Sequence, residues 1–395
     1  MTEGSTTLGQ MCAAIVDCEH KSAPIVTGGG FWAVGTAAMR AGRIDYSAAR
    51  PISAETFGDW TRRLRPRFGD LLLAREAPVG PVVCIPRAEN VAPGQRTVLL
   101  RPASGVEPGY LFALLSSASV QGRLQERAEG STVRHLNVSD IRTLVLPPLP
   151  SLAEQRGIAD MLRALDDKIE SNRRTIDICS ELLDATSSSF ALDVDSVPLS
   201  YLADPLREAF DPTSLGTELM DHFSIPAFDA NGLPDRTTGA SVISAKLRVD
   251  GPSVLVSRLN PKTNRTWFAV PEPGVPAGCS TEFLVLAPKA GVTLGSLWLA
   301  VRDDGFRSLL AQRVTGTSGS HQRVKPLDAL ATEVPDVRQL LAADVQAADE
   351  LLSLMHQRRI ETTRLTALRD TLLPELLSGR IRVPEAGEAV ESALA

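Results

Sequence analysis

The sequence predicts an α+β chain in which two globular mixed α/β domains are separated by two long helices that pair with each other. A heptad pattern of apolar residues begins shortly after Ser151, and a second long helical pattern lies near the C-terminus. The globular segment that precedes each helix repeats the same order of features, which indicates a duplicated module rather than a solenoid of small repeats.

Composition restricts the class of protein. The 395 residues exceed one ordinary domain, and 43% apolar with 22% charged residues is typical of a globular chain. No run of about 20 apolar residues indicates a membrane span, and the N-terminus lacks a signal-peptide pattern, so we expect a cytoplasmic protein without a membrane partner. The five cysteines are scattered without a C-x-x-C pair, which argues against disulfides and zinc.

The net charge of −6 is unevenly distributed. The two predicted helical segments carry an excess of Asp and Glu, whereas the two globular segments are close to neutral or slightly basic. This distribution suits globular parts that meet polyanions and helices that meet other proteins.

The first long helix begins after the proline cluster at residues 147–150. Ser151 and Glu154 have the spacing of a capping box, which satisfies the free amides of a helix start. Asn172 is the one strongly polar member of the seam, and it either fixes the helix register against a polar stretch of the partner helix or reaches solvent. The predicted seam comprises Ile158, Leu162, Leu165, Ile169, Asn172, Ile176, Cys179 and Leu183.

The domain boundaries follow from these patterns. We expect globular domains at residues 1–150 and 196–335, long helices at 151–195 and 336–380, and a flexible tail at 381–395. In the second helix, one apolar stripe begins at Leu341 and a second, displaced by one position, ends at Leu372. The duplication pairs Tyr110 with Trp298 and Asp140 with Asp328 at one constant offset.

Several stretches together resemble the specificity subunit of type I restriction–modification enzymes, over nearly the whole chain. The second helix start, Glu333–Leu341, lacks the proline-led P-P-L-P-S-L-A-E-Q form of the first, which leaves open whether both helix starts bind a partner equally. The stretches are Leu146–Gln155, Ile158–Leu162, Leu165–Ile169, Gly69–Arg75, Gly130–Asn137, Leu255–Pro261, Ser280–Phe283 and Leu368–Gly379.

The resemblance implies a function in DNA recognition. Residues 1–150 and 196–335 would be target-recognition domains that each read half of a split, asymmetric site on double-stranded DNA. The two long helices would form an antiparallel coiled coil that acts as a spacer and binds methyltransferase (modification) subunits. The complex would also contain a restriction/translocase subunit. The residues expected to contact a partner at the first helix start are Leu149, Glu154, Gln155 and Ile158.

Candidate DNA-binding residues are cations and amides in turns, since Arg and Lys bind phosphate and Arg and Asn reach base edges. Each set also fits an ordinary solvated face or a plain turn. In the first domain they are Arg40, Arg43, Arg62, Arg63, Arg65, Arg67, Arg134 and His135. In the second domain they are Lys246, Arg248, Arg258, Lys262, Asn264, Arg265, His321 and Arg323.

No catalytic motif emerges from the sequence. There is no G-x-x-x-x-G-K-[ST] phosphate loop, no Asn-Pro-Pro-aromatic methyltransferase signature and no metal spacing among the five histidines. We therefore expect no catalytic residues, no metal and no cofactor in this chain. Two alternatives remain: a duplicated scaffold that binds peptide or RNA, and a catalytic domain with an unrecognised site.

Overall fold

The computed structural model describes residues 6–130, 134–191, 194–314 and 322–394. The chain divides into two compact units. The first extends to Asp167 and also includes the chain from Leu365 onward, and the second comprises Lys168–Arg364. No helix in the described part of the chain combines the length and the apolar character that a bilayer crossing needs.

The first unit is built on a four-stranded antiparallel sheet in the order β2-β10-β7-β8 and a smaller sheet in the order β6-β3-β9. Its strands are β1 (Thr6–Thr7), β2 (Cys12–Asp17), β3 (Phe31–Val34), β4 (Met39–Arg40), β5 (Arg43–Ile44), β6 (Arg50–Ile52), β7 (Leu71–Arg75), β8 (Val79–Cys84), β9 (Val91–Pro93), β10 (Thr97–Pro102) and β11 (Val145–Leu146). Its short helices are α1 (Leu8–Met11), α2 (Ala54–Trp60), α3 (Pro108–Ser116), α4 (Ala118–Arg127) and α5 (Val138–Arg142).

The first long helix, α6 (Leu152–Phe190), has the predicted start and seam. Ser151 N donates to Glu154 Oε2 at 3.0 Å, and Glu154 N donates to Ser151 Oγ at 3.3 Å, which is the expected capping box. The seam residues are buried apart from Ile176, which is half-buried. Asn172 is buried too, so it does not reach solvent, and its Nδ2 has no hydrogen-bond partner in the described chain. Its role in fixing the register stays a prediction.

The second unit contains a four-stranded antiparallel sheet in the order β13-β21-β18-β19 and a five-stranded sheet in the order β14-β17-β20-β15-β16. Its strands are β12 (Ser196–Pro198), β13 (Ala203–Leu206), β14 (Ala209–Phe210), β15 (Leu219–Phe223), β16 (Asp235–Thr238), β17 (Lys246–Arg248), β18 (Ser253–Ser257), β19 (Thr266–Ala269), β20 (Ala277–Cys279), β21 (Phe283–Pro288) and β22 (Glu333–Pro335). Its short helices are α7 (Ile225–Ala230), α8 (Leu294–Arg302), α9 (Asp304–Gln312) and α10 (Pro326–Leu330).

The predicted duplication is visible in the strand order. In each unit the four-stranded sheet has the unit's early strand at one edge, then its last long strand, then a hairpin. Each sheet is followed by two consecutive helices, and each module begins and ends on one two-stranded antiparallel pair, β1 with β11 and β12 with β22. The second sheet of each unit differs, with three strands in the first unit and five in the second.

The second long helix, α11 (Ala342–Ser378), runs antiparallel to α6. Within the second unit, Lys168 Nζ lies 3.1 Å from Glu361 Oε1, whereas Cys179 and Leu183 share an apolar cluster with Ala348. Residue numbers therefore rise along α6 as they fall along its partner, which confirms the predicted pairing.

Two expectations about the C-terminal region need correction. Leu341 was expected within the apolar stripe of the second helix, but it precedes α11 and is exposed. The segment expected to be a flexible tail contains a further helix, α12 (Val383–Leu394), with Ala386 fully buried. The Ala and Gly residues of this segment suggested disorder, but small residues also permit close packing. On the other side of the contact, Gly157 of α6 has no side chain and faces Val383 of α12.

The two adjacent leucines near the end of α6 allow a test of the shared core in the second unit. Leu183 is 1% exposed and packs in the cluster that contains Trp298, whereas Leu182 is 51% exposed. We expect Leu183→Ala to lower the free energy of unfolding of this unit by about 2–5 kcal/mol, because it leaves a cavity. Leu182→Ala should change it by about 0.5 kcal/mol or less. Urea denaturation followed by tryptophan fluorescence measures both, and equal losses would contradict this packing.

Candidate nucleic-acid interface

An exposed basic loop follows α2 in the first unit. We call residues 61–68 the arginine loop, because Arg62, Arg63, Arg65 and Arg67 all have exposed side chains there. Glu19 Oε1 lies 3.2 Å from Arg62 Nη2 and 3.1 Å from Arg63 Nη2. The Glu19 side chain is only 14% exposed, whereas those of Arg62 and Arg63 are 67% and 44% exposed. Each guanidinium group carries five N–H donors, so both arginines can contact a phosphate while Glu19 keeps its partners.

A buried carboxylate fixes the backbone of the arginine loop. Asp70 is 1% exposed and accepts hydrogen bonds from Arg101 Nε at 2.9 Å, Arg101 Nη2 at 2.7 Å and Arg67 N at 3.0 Å. The same Nη2 donates to Arg65 O at 2.7 Å. Gly69 has a φ of +90°, which suits glycine and turns the chain so that Asp70 points inward. The hydrogen bonds from Arg101 to Asp70 raise the pKa of the guanidinium.

Cations stack on aromatic rings along the same surface. Arg65 lies 5.5 Å from the ring of Phe57, and Arg87 lies 4.4 Å from the ring of Phe68, which is itself half exposed. Lys21 lies 5.0 Å from the ring of Trp60. Sequence reasoning missed Lys21 and Arg87, because they are distant from the arginine loop in the chain. The only indication of these two cations in the sequence was the aromatic residues within and beside the arginine loop, on which cations can stack.

Arg40 and Arg43 face each other across the β4–β5 pair. Arg40 Nη1 lies 3.5 Å from Asp45 Oδ2, and the side chain is otherwise exposed. Arg43 Nη2 donates to the backbone oxygen of Asp166 in α6 at 3.2 Å, so part of its hydrogen-bonding capacity serves the first unit itself.

The structure describes only part of the two loops that carry the predicted DNA-binding residues Arg134, His135, His321 and Arg323. Arg134 is exposed and donates to Gln125 O at 3.2 Å, and the backbone of His135 pairs with Glu129 in both directions at 2.9 Å. His321 lies outside the described residues. Arg323 forms a bidentate pair with Glu282, whose side-chain hydrogen bonds raise the pKa of the arginine.

Four of the cations and amides predicted to contact DNA in the second unit are used internally. Lys246 is 6% exposed, and its Nζ donates to Ser244 O at 2.8 Å. Arg258 donates to Val324 O at 3.1 Å, and burial lowers its pKa. Asn264 Nδ2 donates to Arg302 O at 3.1 Å. Each therefore satisfies a polar group of its own fold, and the structure does not support these three as DNA contacts.

Arg265 is the fourth. Its Nε and Nη2 donate to the two carboxylate oxygens of Asp229 at 2.7 and 2.8 Å. These bonds raise the pKa of Arg265 and lower that of Asp229. The bidentate geometry leaves the planar edge of the guanidinium occupied, so Arg265 is not presented to a base.

Besides Arg323, which is exposed, two predicted cations of the second unit reach the surface. Lys262 is exposed in the turn between β18 and β19. Arg248 pairs with Glu208 at 2.8 Å and lies 5.0 Å from the ring of Phe210. A polar groove on the five-stranded sheet, which includes His222 and Asp235, was not foreseen.

The predicted partner contacts at the start of α6 divide into two groups. Gln155 is buried: it accepts from Glu107 N at 2.9 Å and donates to Pro150 O at 3.0 Å. Ile158 is buried as part of the seam. Both therefore stabilise the chain's own fold, which the sequence pattern does not distinguish from partner binding. Leu149 is half-buried, and Glu154 is exposed although it caps the helix.

Across the described ranges, no group of three or more His, Cys, Asp or Glu side chains is arranged to hold a metal ion. Burial raises the pKa of the Cys12 and Cys279 thiols to about 12 and that of the Cys84 thiol to about 11. A thiol in that state is a poor nucleophile at neutral pH.

Comparison with known proteins finds a likeness to one family over part of the chain. Residues 64–178 match the family model of the type I restriction modification DNA specificity domain. This range contains the Gly69–Arg75 stretch, the Gly130–Asn137 stretch and the proline-led start of α6. The predicted resemblance is therefore confirmed by a match that begins within the arginine loop.

Two curated relatives agree with this match. A putative type I specificity subunit from Mycoplasma pneumoniae is 29% identical over 124 residues, covering 31% of this chain and 33% of that protein. A putative type I specificity subunit from Mycoplasma genitalium is 29% identical over 106 residues, covering 27% and 28%. The aligned part thus spans about a third of the length of these relatives.

A solved structure extends the likeness at the level of fold. The crystal structure of a type I restriction–modification system S subunit from M. genitalium matches with a TM-score of 0.63 at 15% identity, covering 94% of this chain and 95% of that chain. The two chains share a fold, and the predicted class, mixed α/β modules with two long paired helices, is confirmed.

Removal of the Asp70 carboxylate charge should destabilise the first unit. We expect Asp70→Asn to lower its free energy of unfolding by about 3–5 kcal/mol, because a partly buried Arg101 loses its counterion. Asp204→Asn is the matched control, since that carboxylate pairs with Lys289 at 3.3 Å on an exposed surface and its loss should cost about 0–1 kcal/mol. Urea denaturation compares the two variants, and a similar small loss in both would exclude the anchoring role of Asp70.

Proposed function

We propose that this chain is the DNA-recognition (specificity) subunit of a type I restriction–modification complex and that it is itself non-catalytic. The observation that carries the proposal is the match of residues 64–178 to the DNA specificity domain of that system. The fold shared with an S subunit over most of the chain supports it. Methylation and cleavage would be performed by partner subunits.

The proposed target is a split, asymmetric site on double-stranded DNA. The two modules have four-stranded sheets of the same strand order but differ in their second sheet, so they are suited to two different half-sites. Residues 1–150 and 196–335 would be the two target-recognition domains. At 39 residues, α6 is about 59 Å long at 1.5 Å per residue, and one turn of DNA is about 34–36 Å. The paired helices would therefore set the spacing between the half-sites.

The arginine loop is the proposed phosphate contact of the first unit. Its four guanidinium groups are exposed, and Glu19 is paired with two of them, those of Arg62 and Arg63. The buried pair of Asp70 and Arg101 holds the loop backbone, which lowers the conformational entropy that binding would otherwise remove. Positioned cations of this kind provide affinity without reading sequence.

The proposed protein partners are methyltransferase (modification) subunits and a restriction/translocase subunit, in the bacterial cytoplasm where the DNA lies. Among the residues first expected to bind a partner at the start of α6, Glu154 and Leu149 have surface to offer, whereas Gln155 and Ile158 are internal. The acidic, exposed faces of the long helices are the remaining surface for such partners.

Salt dependence tests the phosphate contacts. Arg65→Gln combined with Arg67→Gln should reduce the slope of log K against log [salt] by about 1.8 for B-DNA, since each lost phosphate contact removes about 0.9. The measurement is a fluorescence anisotropy titration of duplex DNA, with the chain purified together with its modification subunits.

The control variant for this measurement combines Arg174→Gln with Arg380→Gln. Like Arg65 and Arg67, these two arginines are exposed. Each is paired with a glutamate, and both belong to the helical segments. Their slope should equal that of the wild type. If the wild-type complex binds DNA weakly and without salt dependence, the proposed function is wrong.

Exchange of one module tests the division of the site. Replacement of residues 196–335 with the corresponding module of another specificity subunit should change one half of the selected sequence and leave the other half intact. Selection of bound sequences from random duplex DNA provides the measurement. A change in both halves would contradict independent modules.

A further inference from the structure

The two units differ most in their second sheet. Their four-stranded sheets share one strand order, whereas the second sheet has three strands in the first unit and five in the second. Two modules that select different sequences need different surfaces for the bases, and a sheet that differs in both backbone and side chains provides one. In the second unit this criterion points to the sheet β14-β17-β20-β15-β16.

That sheet carries an open polar groove of about 660 Å³. Its walls come from β15, β16, β17 and the turn between the last two. Lys246 at the base holds the turn by donating from its ammonium group to the backbone and side chain of Ser244. The turn residue Ile243 is 89% exposed, so a large apolar side chain stands free at the rim.

The groove contains polar groups with hydrogen-bonding capacity to spare. The Nε2 atom of His222 is buried and has no hydrogen-bond partner in the described chain. Burial and the charge of Lys246 lower the pKa of His222, so the neutral ring offers one donor and one acceptor at neutral pH. Thr237 and Ser241 share a hydroxyl–hydroxyl hydrogen bond of 2.7 Å, and each oxygen can accept another.

The charges favour a base edge over a phosphate. Asp235 is exposed in the groove wall and would repel a phosphate, but its carboxylate can accept from the amino group of cytosine. Arg236 is committed to Asp221 at 2.8 Å and to Glu272, and Lys246 is committed to Ser244. A phosphate site needs excess positive charge, and this groove does not provide it.

The geometry points to this groove as the surface with which the second unit selects bases, with His222, Asp235 and Ile243 as its specificity-determining residues. Donors and acceptors at mixed positions match the edges of base pairs in the major groove, and an apolar tip matches the methyl group of thymine. The inference rests on the proposed function, since it assigns part of the DNA contact within it.

The test is selection of bound sequences from random duplex DNA by the full complex. Asp235→Asn, His222→Asn and Ile243→Ser are compared with the wild type, each first checked for unchanged thermal unfolding. We expect each variant to lose discrimination by about tenfold at one or two positions within a single half-site. Ile243→Ser keeps the test informative, because so exposed a side chain does not contribute to folding.

Lys262→Gln is the control, as an exposed cation in the same unit on the shared four-stranded sheet. It should weaken binding equally for all sequences. Non-specific affinity at low salt should be unchanged in His222→Asn and Ile243→Ser, and it should not fall in Asp235→Asn, which removes a negative charge. If those variants bind with wild-type preference, the groove assignment is wrong while the proposed function stands. If the wild-type complex selects no sequence, both are wrong.

Discussion

Burial of the apolar seam of α6 is the constraint on which both units depend. In the first unit, Ile158, Leu162 and Leu165 are buried, and Arg369 of α11 adds an ion pair to Asp166 at 2.9 Å. In the second unit, the seam joins the same apolar cluster as the helix α8. Because one core serves the helices and the globular part of the second unit, folding of that module and pairing of the helices there are a single cooperative event.

Arginine has two distinct uses in this chain, and burial separates them. In the arginine loop the guanidinium groups are exposed with weak or partial pairing, whereas Arg265 and Arg302 form bidentate pairs that join distant segments of the second unit. A buried guanidinium needs a carboxylate or carbonyl partner, since an unpaired charge at low dielectric is costly. A high arginine content therefore does not by itself measure the DNA-binding surface.

Local patterns predicted the helices, the capping box at Ser151 and the exposure of the arginine loop, because each depends on neighbours in sequence. The duplication was predicted from features that recur at one constant offset along the chain. The use of Arg265 and Asn264 depends on Asp229 and Arg302, which lie more than thirty positions away along the chain. No local pattern reveals such partners. The polar groove of the second unit was missed for the same reason, since His222 and Lys246 meet only when β15 and β17 enter one sheet.

The pairing of β12 with β22 has a consequence for how the chain tolerates change. Ser196 and Pro335 are direct neighbours across this two-stranded pair, so the first and last residues of the module leave it side by side. Neighbouring strands are only about 4.7–4.9 Å apart, a gap that a two-residue turn spans. The segment between these two residues could therefore be exchanged for another with the same closing pair of strands, because the connection to the two helices would keep its length.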